Sequence, residues 1–161
     1  MVEITKYKVL DWLGEVSDPE IPVLSITDLG VIREVEIGEA ITVHVAPTYS
    51  GCPAMEVIEQ SVVDKLKEYC AEDIRIERAL SPPWTTDWIS DEGRRKLREY
   101  GIAPPEEGAG KQALLDVGRH IACPRCGSVT TALVSEFGST PCKASYRCES
   151  CLEPFEYFKC I

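Results

Sequence analysis

The sequence lacks the residue patterns on which most catalytic sites depend. It has only two histidines in 161 residues, no glycine-rich phosphate loop and no Ser/His/Asp set. It also has no Glu-x-x-His pair, the pattern that holds di-iron centres on facing helices. These absences argue against a hydrolase, a kinase, a dehydrogenase or a chain that holds an oxygenase centre. We therefore expect a protein that is not an enzyme.

Long apolar runs and basic patches are missing as well. No stretch approaches the roughly 20 apolar residues of a membrane span, and residues 1–10 alternate charged and apolar side chains, unlike a signal peptide. We therefore expect a cytoplasmic protein with no membrane partner. The net charge of -10 is concentrated in residues 1–101, whereas residues 113–161 carry five charges of each sign. Because neither part offers a basic face, nucleic acid is excluded as an expected partner.

The first hundred residues show alternating helix and strand patterns. Residues 31–46 alternate apolar and polar side chains around a turn at 38–40, which predicts a β-hairpin. Residues 52–70 keep apolar positions at helical spacing, and residues 74–80 resemble a strand. Helices are also predicted at 9–16 and 90–100. This order of elements predicts a compact α/β or α+β domain over residues 1–101.

The rest of the chain has a different character. Residues 102–112 are rich in proline, glycine and glutamate, which is typical of a linker. Beyond them, short strand-like runs alternate with Cys-Pro and glycine turns. Residues 113–161 therefore predict a second, small all-β domain.

Cysteines dominate that second domain. Cys123-Pro-Arg-Cys126 and Cys148-Glu-Ser-Cys151 are two C-x-x-C pairs separated by 21 residues. Two such pairs can place four thiolates at the corners of a tetrahedron, the arrangement that structural zinc prefers. A unit of about 50 residues has too small a hydrophobic core to be stable by itself, and a bound metal supplies the missing stability. We predict a zinc site with these four cysteines as ligands.

Several alternatives remain open at this stage. The four residues could be uncommitted buried thiols, could bind iron as a mononuclear or cluster site, or could include a redox C-x-x-C pair. Cys142 and Cys160 are left over, and either could replace one of the predicted ligands.

One cysteine stands apart in the first domain. Cys52 follows the end of the hairpin and a glycine, and we expect it at the N-cap of the helix over 52–70. The unpaired N–H groups and the dipole of a helix N-terminus favour a negative charge, so a thiolate is favoured there. A cysteine with only a capping role is the alternative.

Three ordered motifs then resemble the MIP18-like (DUF59) family of iron–sulfur assembly factors. They are Asp18-Pro-Glu-Ile-Pro-Val-Leu-Ser-Ile-Thr-Asp-Leu-Gly-Val31, Thr48-Tyr-Ser-Gly-Cys-Pro53 and Pro83-Trp-Thr-Thr86. The resemblance implies a domain with a short mixed sheet and helices. It also implies that Cys52 is the functional thiol, with Thr48 and Asp18 as its neighbours. Transiently bound iron or an iron–sulfur cluster is a further implied cofactor, and such domains are often homodimers.

The C-terminal motifs narrow the resemblance. Cys123-Pro-Arg-Cys-Gly-Ser128 and Phe137-Gly-Ser-Thr-Pro-Cys-Lys-Ala144 are similar to the zinc ribbon of the D-type (or J-type) subunits encoded with bacterial phenylacetyl-CoA ring epoxidase. This implies a non-catalytic accessory factor whose partners are the oxygenase and reductase subunits. The implied role is maturation or repair of the iron–sulfur centre of the reductase. The alternative is a structural subunit that docks through its zinc ribbon.

Overall fold

The computed structural model describes residues 3–70, 73–106 and 121–159. The chain divides into two compact units, Met1–Trp84 with Trp88–Ser90, and Thr85–Asp87 with Asp91–Ile161. None of the helices in the described ranges is long and apolar enough to cross a membrane. In chain order the elements are α1 (Lys6–Leu13), β1 (Ile32–Ile37), β2 (Ala40–Val45), α2 (Ala54–Tyr69), β3 (Asp73–Arg78), a 3-10 turn (Thr86–Trp88), α3 (Asp91–Tyr100), β4 (Ile102–Ala103), β5 (Thr131–Ser135), β6 (Lys143–Cys148) and β7 (Pro154–Phe158).

The first unit contains a three-stranded mixed sheet in the order β1-β2-β3. Strands β1 and β2 form the antiparallel hairpin that the sequence predicted, with Ile37 opposite Ile41 at its turn. Strand β3 lies parallel to β2, with Val43 opposite Ile76, because α2 crosses over between them. This arrangement confirms the predicted α/β (α+β) fold class with a short mixed sheet.

Helix α1 covers the start of this unit and is shorter than predicted. Val9 and Leu13 are fully buried, as their helical spacing indicated. The helix nevertheless ends at Leu13, because the amides of Glu15 and Val16 bond to carbonyls only three residues back and tighten the chain into a turn. Val16 is buried too, but it lies in the loop beyond the helix. The prediction of a helix over 9–16 was therefore wrong at its C-terminal end.

The loop over residues 17–31 is held by residues from much later in the sequence. The indole N–H of Trp84 donates to the carbonyl of Leu29 over 2.9 Å. The backbone amide of Ser90 donates to the carbonyl of Asp28 over 2.8 Å. Gly30 has a φ of 74° and packs closely against the backbone of Trp88. The first and third recognised motifs therefore have an architectural role within this unit.

Gly30→Ala should strongly destabilise the first unit. A Cβ at this position would lie 2.5 Å from the carbonyl oxygen of Trp88, and its left-handed φ is unfavourable for any L side chain. We expect a loss of about 3 kcal/mol in the free energy of unfolding. All three tryptophans, Trp12, Trp84 and Trp88, lie in this unit. Denaturant titration followed by tryptophan fluorescence therefore reports on it alone.

Gly38→Ala is the matched control for that experiment. Gly38 lies in the hairpin turn, and a Cβ there would meet nothing within 4 Å. We expect its midpoint to stay close to that of the parent protein. Equal midpoints for the two variants would contradict the close approach at Gly30.

The second unit contains a four-stranded sheet in the order β4-β7-β6-β5. Strand β4 pairs in parallel with β7, and both of its residues, Ile102 and Ala103, are buried. These two residues begin the predicted linker, and residues 107–112 of that linker lie outside the described ranges. The domain bounds 1–101, 102–112 and 113–161 remain a prediction.

Candidate functional site

Four cysteine sulfurs meet in the second unit. The Sγ atoms of Cys123, Cys126, Cys148 and Cys151 all lie within 4.8 Å of one another. Cys126 lies 3.6 Å from Cys148, and Cys123 lies 3.7 Å from Cys151. A tetrahedron with Zn–S bonds of about 2.3 Å has edges of about 3.8 Å, whereas a disulfide needs about 2.05 Å. The separations fit four ligands around one zinc ion and do not fit disulfides.

The backbone explains why each C-x-x-C pair turns its two sulfurs to one point. In the first pair, the amide of Gly127 donates to the carbonyl of Cys123 over 2.9 Å, and the amide of Cys123 donates to the carbonyl of Ser128 over 2.8 Å. Gly127 permits this turn with a φ of 76°. In the second pair, Leu152 takes the corresponding left-handed φ of 64° after Cys151. Each pair is thus a tight knuckle.

The electrostatics of the cluster favour a cation. The backbone amide of Cys151 donates to the sulfur of Cys148 and lowers the pKa of that thiol to about 6. The amide of Glu153 also lowers the pKa of the Cys151 thiol. Burial and the neighbouring thiols have a larger, opposite effect, and together they raise the pKa of Cys151 to about 12. Without a metal, four negative sulfurs at this spacing repel one another. A divalent ion offsets the repulsion between the thiolates, so these four sulfur ligands fit zinc.

The cluster is continuous with a small apolar core. Cys123 and Cys148 are buried, whereas Cys126 and Cys151 are exposed. The ring of Tyr146 packs on this core, 5.9 Å from the ring centres of both Phe155 and Tyr157. Since the core is so small, the metal must carry much of the stability of this unit. The buried members of the core are Ala103, Ile121, Cys123, Cys148, Phe155 and Tyr157.

The motif at 137–144 holds an ion pair that the sequence reasoning missed. Lys143 is 5% exposed, and its Nζ lies 3.1 Å from Oε2 of Glu156 on the neighbouring strand. Burial raises the pKa of Glu156, but the Ser139 amide and Lys143 outweigh it and hold the pKa below its usual value. Gly138 leaves room for this carboxylate, since a Cβ there would lie 2.5 Å from Oε1. The motif itself was the sequence feature that could have revealed this ion pair, because its residues surround and bind the carboxylate of Glu156.

The two leftover cysteines were possible substitutes in the ligand set. Cys142 is buried outside the cluster, with its sulfur 3.0 Å from the hydroxyl oxygen of Thr140. Cys160 lies outside the described residues. Among the described cysteines, the structure therefore brings together the four that the symmetric spacing predicted.

In the first unit, the structure brings Thr48 and Cys52 together. The hydroxyl of Thr48 donates to the sulfur of Cys52 over 3.9 Å. Cys52 is half-buried and lies on a turn, where its amide donates to the carbonyl of Tyr49 over 3.2 Å. Gly51 makes this turn possible with a φ of 77°. The sulfur is thus held at the surface, between the end of β2 and the start of α2.

The expected N-cap position of Cys52 was wrong by one residue. Pro53 is the N-cap of α2, and it already has helical dihedral angles because its ring fixes φ near -70°. Cys52 therefore lies just outside the helix, although its carbonyl still accepts from the amide of Met55.

Asp18, the third predicted site residue, has a different environment. It is buried, and its Oδ1 accepts hydrogen bonds from the amides of Glu20 and Ile21 at 2.8 and 2.7 Å. These bonds order the Asp-Pro-Glu turn at the start of the loop over 17–31.

Comparisons with known proteins find matches to both parts of the chain. Residues 6–77 match the family model described as "Iron-sulfur cluster assembly protein", and residues 107–159 match "PaaD zinc beta ribbon domain". The chain is 49% identical over 150 residues to the D-type subunit of the "Putative 1,2-phenylacetyl-CoA epoxidase" of Escherichia coli (strain K12). That alignment covers 92% of this chain and 89% of the relative.

Two solved structures are similar to part of the chain. A DUF59 domain from Bacillus anthracis, 24% identical, gives a TM-score of 0.53 over 57% of this chain and 90% of its own. A conserved hypothetical protein from Thermotoga maritima, 28% identical, gives a TM-score of 0.52 over 60% of this chain and 98% of its own. These similarities confirm the DUF59 fold.

Fold and site together define a two-part protein, in which a DUF59 domain of the iron–sulfur assembly type is joined to a zinc ribbon with a structural zinc site. The similarity to the E. coli protein extends over both parts. The chain therefore belongs to the family of D-type subunits of phenylacetyl-CoA epoxidase.

Proposed function

We propose that this chain is a non-catalytic accessory factor of a multicomponent phenylacetyl-CoA epoxidase, used in aerobic phenylacetate degradation. Its task is to assist the assembly or repair of the iron–sulfur cluster in the reductase component. The observation that carries the proposal is the Thr48–Cys52 pair, a surface thiol oriented by a hydroxyl within a domain of the iron–sulfur assembly type.

The number of ligands at Cys52 favours a transient role. Iron–sulfur clusters are normally held by four cysteine thiolates. Among the described residues, the only group of three or more cysteine, histidine or carboxylate side chains close enough to share an ion is the ribbon cluster. Cys52 therefore supplies one ligand, and the others come from the client protein or from a second copy of the chain. A site of that kind can hand over iron more readily than it can store it.

The other predicted site residues take supporting roles in this proposal. Thr48 orients the sulfur, and Asp18 is a positioning residue that orders its own loop through the amides of Glu20 and Ile21. In the ribbon, Cys123, Cys126, Cys148 and Cys151 bind zinc and serve the fold. The two metal sites thus differ in purpose, since one is closed and structural and the other is open at the surface.

The test is the [2Fe–2S] content of the epoxidase reductase, co-expressed with and without this chain under matched iron supply. We expect iron, acid-labile sulfide and visible absorbance per reductase to fall several-fold when the chain is absent. Reductase protein measured in the same samples controls for expression. Unchanged cluster content would remove the maturation role.

A structural subunit of the oxygenase complex is the second candidate. The observation that favours it is the exposure of large apolar side chains on the ribbon, among them Val134 and Phe137. Stable, stoichiometric co-elution with the oxygenase subunits, together with normal cluster content in its absence, would place this candidate first.

A further inference from the structure

The four sulfur ligands of the ribbon site differ in their access to solvent. Cys123 is 2% exposed and Cys148 is fully buried, and both belong to the apolar core of the ribbon. Cys126 and Cys151 are exposed, one on each knuckle, and their sulfurs lie within 4.8 Å of each other. The site therefore has a buried half and an accessible half, and the accessible half consists of two neighbouring thiolates.

The border of the undescribed residues lies at the buried half. Glu106 and Ile121, which flank residues 107–120, line a cavity together with Cys123. Neither exposed cysteine lines that cavity. The exposure of these two sulfurs is therefore a property of the knuckles, which lie within the described ranges.

We propose that Cys126 and Cys151 form a redox modification site, at which a hydroperoxide such as H2O2 joins them in a disulfide and thereby releases the zinc ion. Thiolates are the form of cysteine that such oxidants attack, and accessible thiolates react in preference to buried ones. This inference goes beyond the proposed function and does not depend on it.

The reaction balances with the hydroperoxide as the only oxidant. A lone pair of one exposed sulfur attacks the O–O bond, so an S–O bond forms, the O–O bond breaks and hydroxide leaves. The sulfur is oxidised to a sulfenic acid, and the peroxide oxygens are reduced. The second exposed thiolate then attacks that sulfur, an S–S bond forms and another hydroxide leaves. Two protons from solvent convert both hydroxides to water, and the zinc ion dissociates because only two ligands remain.

Packing favours the exposed pair over the other pairs. A disulfide holds its sulfurs at about 2.05 Å, so the two atoms must first move closer together. The pairs Cys126–Cys148 and Cys123–Cys151, at 3.6 and 3.7 Å, each include one buried sulfur. Moving a buried sulfur opens a void in a close-packed core, whereas the two exposed side chains can rotate toward each other in solvent.

Contacts between the knuckles keep the exposed sulfurs near each other without the metal. The hydroxyl oxygens of Ser128 and Ser150 lie 2.8 Å apart, and Arg125 forms an ion pair with Glu153. Each contact joins the first knuckle to the second. The disulfide therefore forms within one chain, and a reductant supplied with zinc should restore the metal site.

The experiment uses the full zinc-loaded chain alone, purified without oxygen. H2O2 is added in a stoichiometric titration, and a colorimetric chelator measures the released zinc. Reduced and oxidised thiols are labelled with different alkylating reagents, and peptide mass spectrometry identifies the cysteines in each disulfide. We expect about one zinc ion released for each Cys126–Cys151 disulfide, with Cys123 and Cys148 recovered as reduced thiols.

A ligand exchange tests the role of one exposed sulfur. Cys151→His should still bind zinc, because three cysteines and one histidine form a common structural site. It lacks one of the two sulfurs of the disulfide, so we expect zinc release by H2O2 to be on the order of tenfold slower. Cys70→Ser is the matched control, since it removes a half-buried thiol of the first unit, and it should release zinc at the parent rate.

Three results would each overturn the proposal. They are retention of zinc in excess H2O2, a predominant disulfide that includes Cys123 or Cys148, and zinc release from loaded Cys151→His at the parent rate. Disulfide mapping on the parent chain decides the matter even where the histidine variant fails to load zinc. Because no reductase is present, these results leave the maturation role to its own test.

Discussion

Cys148→Ser should release the zinc ion and unfold the ribbon while the first unit stays folded. Cys148 is fully buried in the ribbon core, and its sulfur lies 3.6 Å from that of Cys126. The serine hydroxyl is a much poorer zinc ligand than a thiolate, and it leaves a polar group in an apolar site. Zinc binding to small domains has an apparent free energy of roughly 10–16 kcal/mol, so losing most of it exceeds what this small core can replace. We expect the largest effect of any single substitution at this position.

Two measurements separate the units. Metal analysis after dialysis should fall from one zinc per chain to nearly none. Tryptophan fluorescence, which reports only on the first unit, should keep its denaturation midpoint. Limited proteolysis should cut the ribbon rapidly in the variant and slowly in the parent chain. Cys126→Ser, at an exposed ligand position, should lose zinc as well.

Cys142→Ser is the discriminating control. Cys142 is also buried in the ribbon, but its sulfur contacts Thr140 and lies outside the four-thiol cluster. We expect this variant to retain its zinc. Full metal content in Cys148→Ser, or loss of metal in Cys142→Ser, would move the ligand assignment to the leftover cysteines.

Cys52→Ser should lower the cluster content of the reductase to the level found without the chain. The side chain of Cys52 is half-buried on a surface turn, and serine is close to cysteine in size, so the substitution disturbs no core packing. The fold should therefore be intact, with an unchanged fluorescence midpoint and one zinc per chain. A hydroxyl cannot replace a thiolate toward iron, so the loss should be confined to function.

Cys70→Ser is the matched thiol control for this prediction. Cys70 is equally half-buried in the first unit, but it ends α2, and its sulfur donates to the carbonyl of Leu66 over 3.0 Å. A serine hydroxyl can make the same bond. Cluster content with Cys70→Ser should match that with the parent chain. Normal loading by Cys52→Ser would remove the functional thiol from the proposal.

Local patterns predicted the features of this protein that local physics controls. The hairpin over 31–46 and helix α2 follow from apolar spacing, because each must bury one face. The zinc knuckles follow from the C-x-x-C spacing, since two intervening residues are what the turn requires. Similarly, the Gly51–Cys52 turn is encoded within a few neighbouring residues, so its place at the end of β2 was predictable.

The features that were missed depend on residues far apart in the chain. The pairing of β4 with β7 joins Ile102 to Glu156, and no periodicity in a two-residue strand predicts it. The contact of Lys143 with Glu156 depends on the register between β6 and β7. The early end of α1 and the cap at Pro53 are shifts of a few residues at helix ends, where capping groups compete and patterns are least decisive.

The thiolate cluster also changes how acidic the protein is. The formal charge of -10 counts every cysteine as neutral. In the zinc-bound form all four ligands are thiolates, and the ion returns only two of their four negative charges. The zinc-loaded chain is therefore two charges more negative than the formal count of -10, although a cation has been added. In native electrophoresis at neutral pH the metal-loaded form should migrate further toward the anode than its charge at neutral thiols predicts.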